Sequence, residues 1–371
     1  MDHSLFFLIA LSTGFLTLLG CLLAGFIVLT EKKILNYGPC TIDINNGDRK
    51  LTVAGGSSLL SSLAEQNVFI PSACGGRGTC SFCKLKVESG GGVIGPVEES
   101  SLTPVEQKNN IRLSCQVKIR SDIRIHVPPE LFLVKKFTGI LERKRFLTKD
   151  MVELRIRLTA PETITFKAGQ YLQLQSEPYK GRESVTRAYS IASPPHDSGY
   201  VELIIRQVPE GICSNWVFSV VKEGQTVSFS GPYGDFFLSE NTSPLLFMAW
   251  GSGISPIWSM IRTLQKNNDT RRCIFFFGAR SQSDLFFVNE FRLIEKAMPS
   301  FSFIPVLSRE AVDSGWAGER GYTTTVFKKY ISDTSAFEAY LCGGPAMIDS
   351  AIVELVKSGL MKEKIFYDKF S

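Results

Sequence analysis

Histidine is nearly missing from this chain. Only His3, His126 and His196 occur among 371 residues, which nearly excludes a metal site built from imidazoles. A strong charge bias is also lacking. The formal net charge is +5 and spread along the sequence, so charge gives no support to nucleic-acid binding. There is no internal repeat, no low-complexity tract and no regular disulfide framework. Nine cysteines, four clustered by spacing and five scattered, fit a reducing compartment. Core material, by contrast, is ample: 44% of residues are hydrophobic and 21% charged. A chain this long exceeds one ordinary core, and two or three domains are expected.

From Ser4 to Thr30 no charged residue occurs. About 20 residues cross a hydrocarbon core of roughly 30 Å, so this run is long enough to span one with some tilt. A signal peptide is the first rival, but a charged n-region is missing and the apolar stretch overruns the usual h-region. Leu18-Leu19-Gly20-Cys21 resembles a lipoprotein cleavage box, yet the apolar run continues through Leu29. The reading is a retained single-pass helix over about 4–30. Lys32 and Lys33 follow it while Asp2 and His3 precede it, which places the C-terminal part in the cytoplasm.

The rest divides into three, giving a multidomain chain: anchor 1–36, an α+β unit 37–128, a β-rich unit 129–237, and an α/β unit 238–371. Thr41–Asn45 and Arg49–Val53 alternate around Asn46-Gly47, a hairpin signal. A helical pattern runs from Ser57 to Gln66. Met151–Leu158, Tyr171–Gln175 and Tyr200–Gln207 read as strands. From Pro244 onward, strands Leu245–Trp250, Cys273–Gly278, Phe301–Leu307 and Ala339–Cys342 alternate with helices Ile257–Lys266, Asp284–Ala297 and Met347–Ser358. That order implies a parallel sheet.

Cys74, Cys80 and Cys83 stand as C-x5-C-x2-C, with Cys115 alone further on in Leu-Ser-Cys-Gln. A [2Fe–2S] cluster needs four thiolates, and a flexible loop supplies three of them naturally. Gly75, Gly76 and Gly78 let that loop bend. Zinc is the rival, but Cys₄ zinc sites usually pair two C-x2-C knuckles.

Arg187-Ala188-Tyr189-Ser190 follows the strand around Tyr171. A flavin needs a cation for its pyrophosphate, an aromatic wall and a hydrogen-bond donor near N5, and an R-x-Y-S strand meets those needs. Gly211-Ile212-Cys213-Ser214 opens a helix whose N–H groups suit phosphate. Gly231-Pro232-Tyr233-Gly234 adds a turn. Gly251-Ser252-Gly253-Ile254-Ser255-Pro256 follows an apolar strand and precedes a helix, where a pyrophosphate approaches backbone. Pro256 replaces the third glycine of the ordinary dinucleotide fingerprint. Cys342-Gly343-Gly344-Pro345 follows another apolar strand.

In this order and spacing, the motifs match the ferredoxin–NADP reductase superfamily. Together with the N-terminal run, Ser72-Ala73-Cys74-Gly75-Gly76, the five-residue gap to Cys80, Ser89-Gly90-Gly91-Gly92, Cys115-Gln116-Val117 and the Asp368/Phe370 tail, the chain resembles the F subunits of Na⁺-translocating NADH:quinone oxidoreductases. The resemblance implies a β-grasp [2Fe–2S] domain ligated by Cys74, Cys80, Cys83 and Cys115, an antiparallel FAD barrel and an NADH-binding α/β domain. It implies FAD phosphate on Arg187, Gly211 and Ser214, the ring against Tyr189, and Ser190 near N5. It implies nicotinamide nucleotide at Gly251, Gly253, Pro256, Cys342, Gly343 and Pro345, with Phe370 as a movable cover and Asp368 beside it. The implied partners are NADH, membrane subunits of the complex, quinone indirectly and the lipid bilayer. The implied place is a bacterial inner membrane. The Gly-Ser-Gly-Ile-Ser-Pro loop looks closer to oxygenase reductases, so a membrane-tethered oxygenase reductase is the second reading. A non-catalytic electron carrier would leave the residues after the Cys unit unexplained.

Overall fold

The computed structural model describes residues 3–34, 37–72 and 74–370, with the side chains of the first helix described from 11 to 26. Helix α1, His3–Ile34, takes up the uncharged run. Leu16, Leu22 and Phe26 on it are exposed. Residues 11–26 extend about 24 Å at 1.5 Å each, and no helix among the described residues is long and apolar enough to cross a membrane. Asp2, Ala73 and Ser371 lie outside the described residues, as do the side chains of His3, Lys32 and Lys33.

Two compact units follow: residues up to 129 without 71–75, and residues 71–75 with 130–371. The first holds β1 Pro39–Ile44, β2 Arg49–Ala54, α2 Leu59–Glu65, β3 Lys84–Ser89, α3 Pro96–Ser101, α4 Pro104–Lys108, β4 Ile111–Leu113 and β5 Ile123–His126. Its sheet runs β2-β1-β5-β3-β4, with β1 and β5 parallel and the other neighbours antiparallel. The expected hairpin forms because Asn45 and Asn46 accept left-handed backbone at φ 53° and 57°, which asparagine tolerates. Ser58 caps α2 by accepting from Ser61 N. Leu59 and Leu63 of α2 are buried, as are Ile42, Ile44, Leu85 and Ile125 of the sheet.

In the second unit, β6 Lys135–Thr148, β7 Met151–Ala160, β8 Tyr171–Gln175, β9 Thr186–Ser190 and β10 Tyr200–Arg206 precede α5 Ile212–Ser219 and β11 Thr226–Tyr233. These strands form an antiparallel sheet, β10-β7-β6-β11-β8-β9. A bridge from Ile191 to Leu203 brings its two ends together, so the sheet curls into the expected barrel. Then come β12 Leu245–Trp250, α6 Ile254–Lys266, β13 Cys273–Ala279, α7 Val288–Ala297, β14 Phe301–Leu307, β15 Glu319–Arg320, α8 Thr323–Val326, β16 Glu338–Gly343, α9 Pro345–Lys357 and β17 Ile365–Lys369. Their sheet is parallel throughout, β15-β14-β13-β12-β16-β17. Every residue of β12 is buried, as a central strand covered on both faces requires.

Two helix starts differ from expectation. Helix α6 begins at Ile254, ahead of Ile257, because Pro256 sits in the first turn, where a missing N–H is no loss. Helix α7 begins at Val288. Asp284 instead closes its own turn with Ser281, and Phe287 takes a left-handed conformation. The barrel and the parallel sheet are joined by a buried charge network. Glu153 and Glu202 are buried; Arg143 and Arg145 reach Glu153 at 3.1 Å, and Arg262 of α6 reaches Glu202 at 2.7 Å. Burial pushes Glu153 above the ordinary carboxylate value, while the arginines pull it back.

Candidate functional sites

The first site is a cysteine turn, of which Cys80, Cys83 and Cys115 belong to the first unit. Strands β3 and β4 pair Lys84 with Leu113; just past that pair Ser114 N donates to Cys83 O, and the Cys83 and Cys115 sulfurs meet 3.3 Å apart. Gln116 Nε2 donates to Cys115 Sγ and to Gly76 O, both at 3.4 Å. The hydrogen bond with Cys115, followed by burial, pushes the Cys83 thiol far above its ordinary value. Two apposed thiols resist a shared negative charge, and a cationic centre removes that penalty. The donor set therefore fits an iron–sulfur group. Cys74 and Cys80 are half-buried in the loop. Among the described residues no three His, Cys, Asp or Glu are gathered around one metal position, so of the four expected ligands the structure brings Cys83 and Cys115 together.

The clamp behind this turn had no motif in the sequence. Arg112 and Glu98 form a buried, two-pronged ion pair at 2.9 and 2.7 Å. Arg112 also donates to the carbonyls of Gly91, Gly92 and Val93, and Glu98 accepts from Leu113 N at 2.9 Å. Burial works to raise Glu98, but Arg112 and two backbone N–H groups hold it below the ordinary value. Nothing local in the sequence signalled that the carbonyls of Gly91, Gly92 and Val93 would be gripped by Arg112.

The second site lies along β9. Register pairs Tyr171 with Ser190 and Leu174 with Arg187. Alternation puts Arg187 and Tyr189 on one face of the strand and Ser190 on the other. Burial beside the Cys213 thiol of α5 pushes the Tyr189 phenol well up. Gly211 caps α5, while Ser214 Oγ accepts from Val208 N at 3.1 Å, so that hydroxyl also holds the turn before the helix. Gln173 Nε2 and Trp216 Nε1 are buried donors with no hydrogen-bond partner. Orphaned donors beside a cationic, aromatic strand fit a heterocycle rich in acceptors, as a flavin is.

The third site is the carboxyl edge of the parallel sheet. A cavity of about 600 Å³ is lined there by Trp250, Gly251, Ser252, Gly343, Gly344 and Phe370, among others. Gly253 packs so tightly that a Cβ would stand 2.2 Å from Cys342 O. Pro256 and Cys342 are buried behind the cavity wall, and Pro345 opens α9 with Gly344 as its cap. Phe370 N donates to Gly343 O at 2.9 Å. Arg187, Tyr189, Ser190, Gly211 and Ser214 stand outside this lining.

A link between the two sites comes from β17. Its register sets Asp368 beside Cys342, and the Ser190 hydroxyl of β9 lies near the Asp368 carboxyl. Burial pushes Asp368 up to about 6, with the Ser190 hydroxyl pulling it back. Burial, then the Asp368 charge, raises the Cys342 thiol well above its ordinary value.

Comparison with known proteins gives three family matches in sequence order. Residues 42–120 match the 2Fe-2S iron-sulfur cluster binding domain, 138–238 the oxidoreductase FAD-binding domain, and 247–352 the oxidoreductase NAD-binding domain. The chain is 35% identical to the F subunit of the Na(+)-translocating NADH-quinone reductase of Pseudomonas paraeruginosa, covering 98% of this chain and 99% of that one. It is 32% identical to the counterpart of the same name in Klebsiella pneumoniae, again over 98% and 99%. Among solved structures, it resembles a cytochrome P450 reductase of Amycolatopsis with a TM-score of 0.73 and 26% identity, covering 89% of this chain and 98% of that one. It also resembles the ferredoxin reductase of carbazole 1,9a-dioxygenase, with a TM-score of 0.70 and 25% identity over 90% and 99%.

Proposed function

Because the chain belongs to the family of F subunits of Na(+)-translocating NADH-quinone reductases, we propose that it is the electron-input component of such an assembly, held to a bacterial inner membrane by α1 with its other domains on the cytoplasmic side. It is an oxidoreductase acting on NADH, with FAD and a [2Fe–2S] cluster as cofactors. Bound FAD supplies the exchange of one hydride from NADH for single electrons to the cluster, on the way to membrane subunits and quinone.

The C-terminal strand carries the reading: it brings Asp368 near Ser190 of the flavin strand and Phe370 N onto Gly343 O at the nucleotide cavity. Arg187 is assigned to FAD phosphate, with the N-terminus of α5 at Gly211 and Ser214 as a second phosphate contact. Tyr189 flanks the ring, and Ser190, with Asp368 nearby, donates near N5. Gly251 and Gly253 let the NADH pyrophosphate approach the start of α6. Phe370 shields the hydride-transfer position and moves aside for nicotinamide, while Cys342, Gly343 and Pro345 shape the wall behind it. Cys74 and Cys80 complete the thiolate set with Cys83 and Cys115. The membrane role of α1 rests on the uncharged run from Ser4 to Thr30.

Anaerobic NADH titration of the full-length protein tests this. Expected are two irons and two labile sulfides per chain, bleaching of the flavin, then a reduced-cluster EPR signal. Cys80→Ala should remove the EPR signal and leave flavin bleaching. Zinc in place of iron would sink the assignment. The likeness to oxygenase reductases sustains a second reading, a tethered reductase feeding a soluble oxygenase. Copurification from solubilised membranes decides: integral-membrane partners favour the first reading, a soluble oxygenase the second.

A further inference from the structure

The C-terminal strand is fastened on two faces, and the fastenings differ in kind. Alternation puts Phe366, Asp368 and Phe370 on one face of β17 and Ile365, Tyr367 and Lys369 on the other. On the first face the Phe366 ring stacks on Tyr340 with centroids 5.0 Å apart, and Phe370 reaches the nucleotide cavity. On the second, Ile365 is buried while Tyr367 is exposed. Pairing with β16 continues as far as Lys369 opposite Gly343, and Phe370 N then donates to Gly343 O at 2.9 Å.

The last side-chain tie before Phe370 is ionic. Lys369 Nζ meets Asp349 Oδ1 of α9 at 2.7 Å and lies 5.1 Å from the centre of the Tyr367 ring. Helix α9 is capped by Gly344, and Gly344 and Met347 line the cavity, so the pair joins the tail to a wall of that cavity. Both partners touch water: the Lys369 side chain is 35% exposed and that of Asp349 61%. Such a pair contributes little to stability and is screened by salt. Its place gives it weight, because it sits one residue from a side chain that must leave the cavity and return.

We propose that Lys369 is a positioning residue: its ion pair with Asp349 holds Phe370 over the nicotinamide position, and breaking the pair biases the tail toward its open arrangement. This rests on the reading of Phe370 as a movable cover. Nicotinamide stacks only on a vacated position, so its apparent affinity is reduced in proportion to the closed fraction of the tail. The adenosine diphosphate part of the nucleotide takes no part in that competition.

Calorimetric titration of the full-length oxidised holoprotein with NAD⁺ and ADP-ribose tests it, because the probes share the diphosphate and differ in the nicotinamide. The margin of NAD⁺ over ADP-ribose should rise about two- to fivefold in Lys369→Gln, the size an exposed pair supports. Asp349→Asn should raise it equally. In the wild type, raising salt from about 0.02 M to about 0.5 M should lift the margin toward that of the variants, which stays level. In a Phe370→Ala background neither substitution should move it. Opposite effects of the two substitutions would mean that bare charge acts on the cationic ring, and the latch would be overturned. An unchanged margin in both, while Phe370→Ala widens it, would also overturn the latch and leave the cover reading standing. If Phe370→Ala itself leaves the margin unchanged, the cover reading falls and takes the latch with it.

Discussion

The cysteine turn and the nucleotide loop are both rich in glycine, but for opposite reasons. Gly76 has φ 87° and nothing closer than 3.9 Å to where a Cβ would be. Space is plentiful there, and handedness is the constraint. Gly253 has φ −60°, which any residue adopts, but a Cβ would strike a backbone carbonyl at 2.2 Å. There the backbone shape is ordinary and room is the constraint. The supports differ too. A side-chain ion pair, Glu98–Arg112, braces the cysteine turn, whereas hydrogen-bonded parallel strands brace the nucleotide loop. One region is vulnerable to loss of a charge, the other to gain of a methyl group.

The largest effect is expected at the brace. Glu98→Gln leaves the Arg112 guanidinium buried without its counter-charge, at a cost of about 3–5 kcal/mol. Denaturant unfolding and the visible absorbance of the cluster would both report it. Because the folded carboxyl titrates below its ordinary value, its contribution is complete above the unfolded pKa and is lost as pH falls through the folded one. The wild type should therefore lose its advantage over the variant in acid. Unchanged cluster retention at pH 7 would mean that the ion pair is dispensable.

Gly253→Ala comes next, at about 3 kcal/mol, since the carbonyl of Cys342 must shift to admit the methyl group. Thermal unfolding should fall and NADH affinity with it, while the iron content stays unchanged. A variant as stable as the wild type would break the contrast between the two loops.

Asp368→Asn should act through pH. A carboxyl raised to about 6 binds more protons when folded than when unfolded. Stability from this group is therefore present at low pH and lost as pH rises from its ordinary value through about 6. The asparagine variant should gain relative to the wild type between pH 5 and pH 7.5, by a melting-temperature shift of roughly 2–4 °C for each kcal/mol. A constant difference across that range would place the titration elsewhere.

The smallest effect is Gly76→Ala, about 1–2 kcal/mol from forcing left-handed backbone on a residue with a Cβ. Gly76→Asn should recover part of it, because asparagine tolerates that conformation. If alanine and asparagine behave alike in cluster retention, handedness is not what Gly76 supplies.

Much of the architecture was legible because long periodic runs carry it. The apolar strands Leu245–Trp250 and Phe301–Leu307 and the Asn-Gly hairpin stand where their patterns put them. What escaped were strands without alternation, such as the long β6, and short elements such as α3 and α4, whose existence depends on partners distant in sequence. The site divides the same way. Cys83 and Cys115, two of the four spaced cysteines, meet at the end of the β3–β4 pairing. The Arg112–Glu98 pair and the approach of Asp368 to Ser190 were not legible, since a register many residues away decides what a lone charged side chain meets.

The proton held between Cys83 and Cys115 has a consequence for how the protein is made. Thiolates, not thiols, ligate iron, so building a centre on these apposed sulfurs must expel their protons. Assembly is therefore an acid-releasing reaction, and reconstitution from iron and sulfide should run faster in mildly alkaline buffer than at neutrality. Acidification of the surroundings would slow maturation of this chain, with no change in how well the finished centre works.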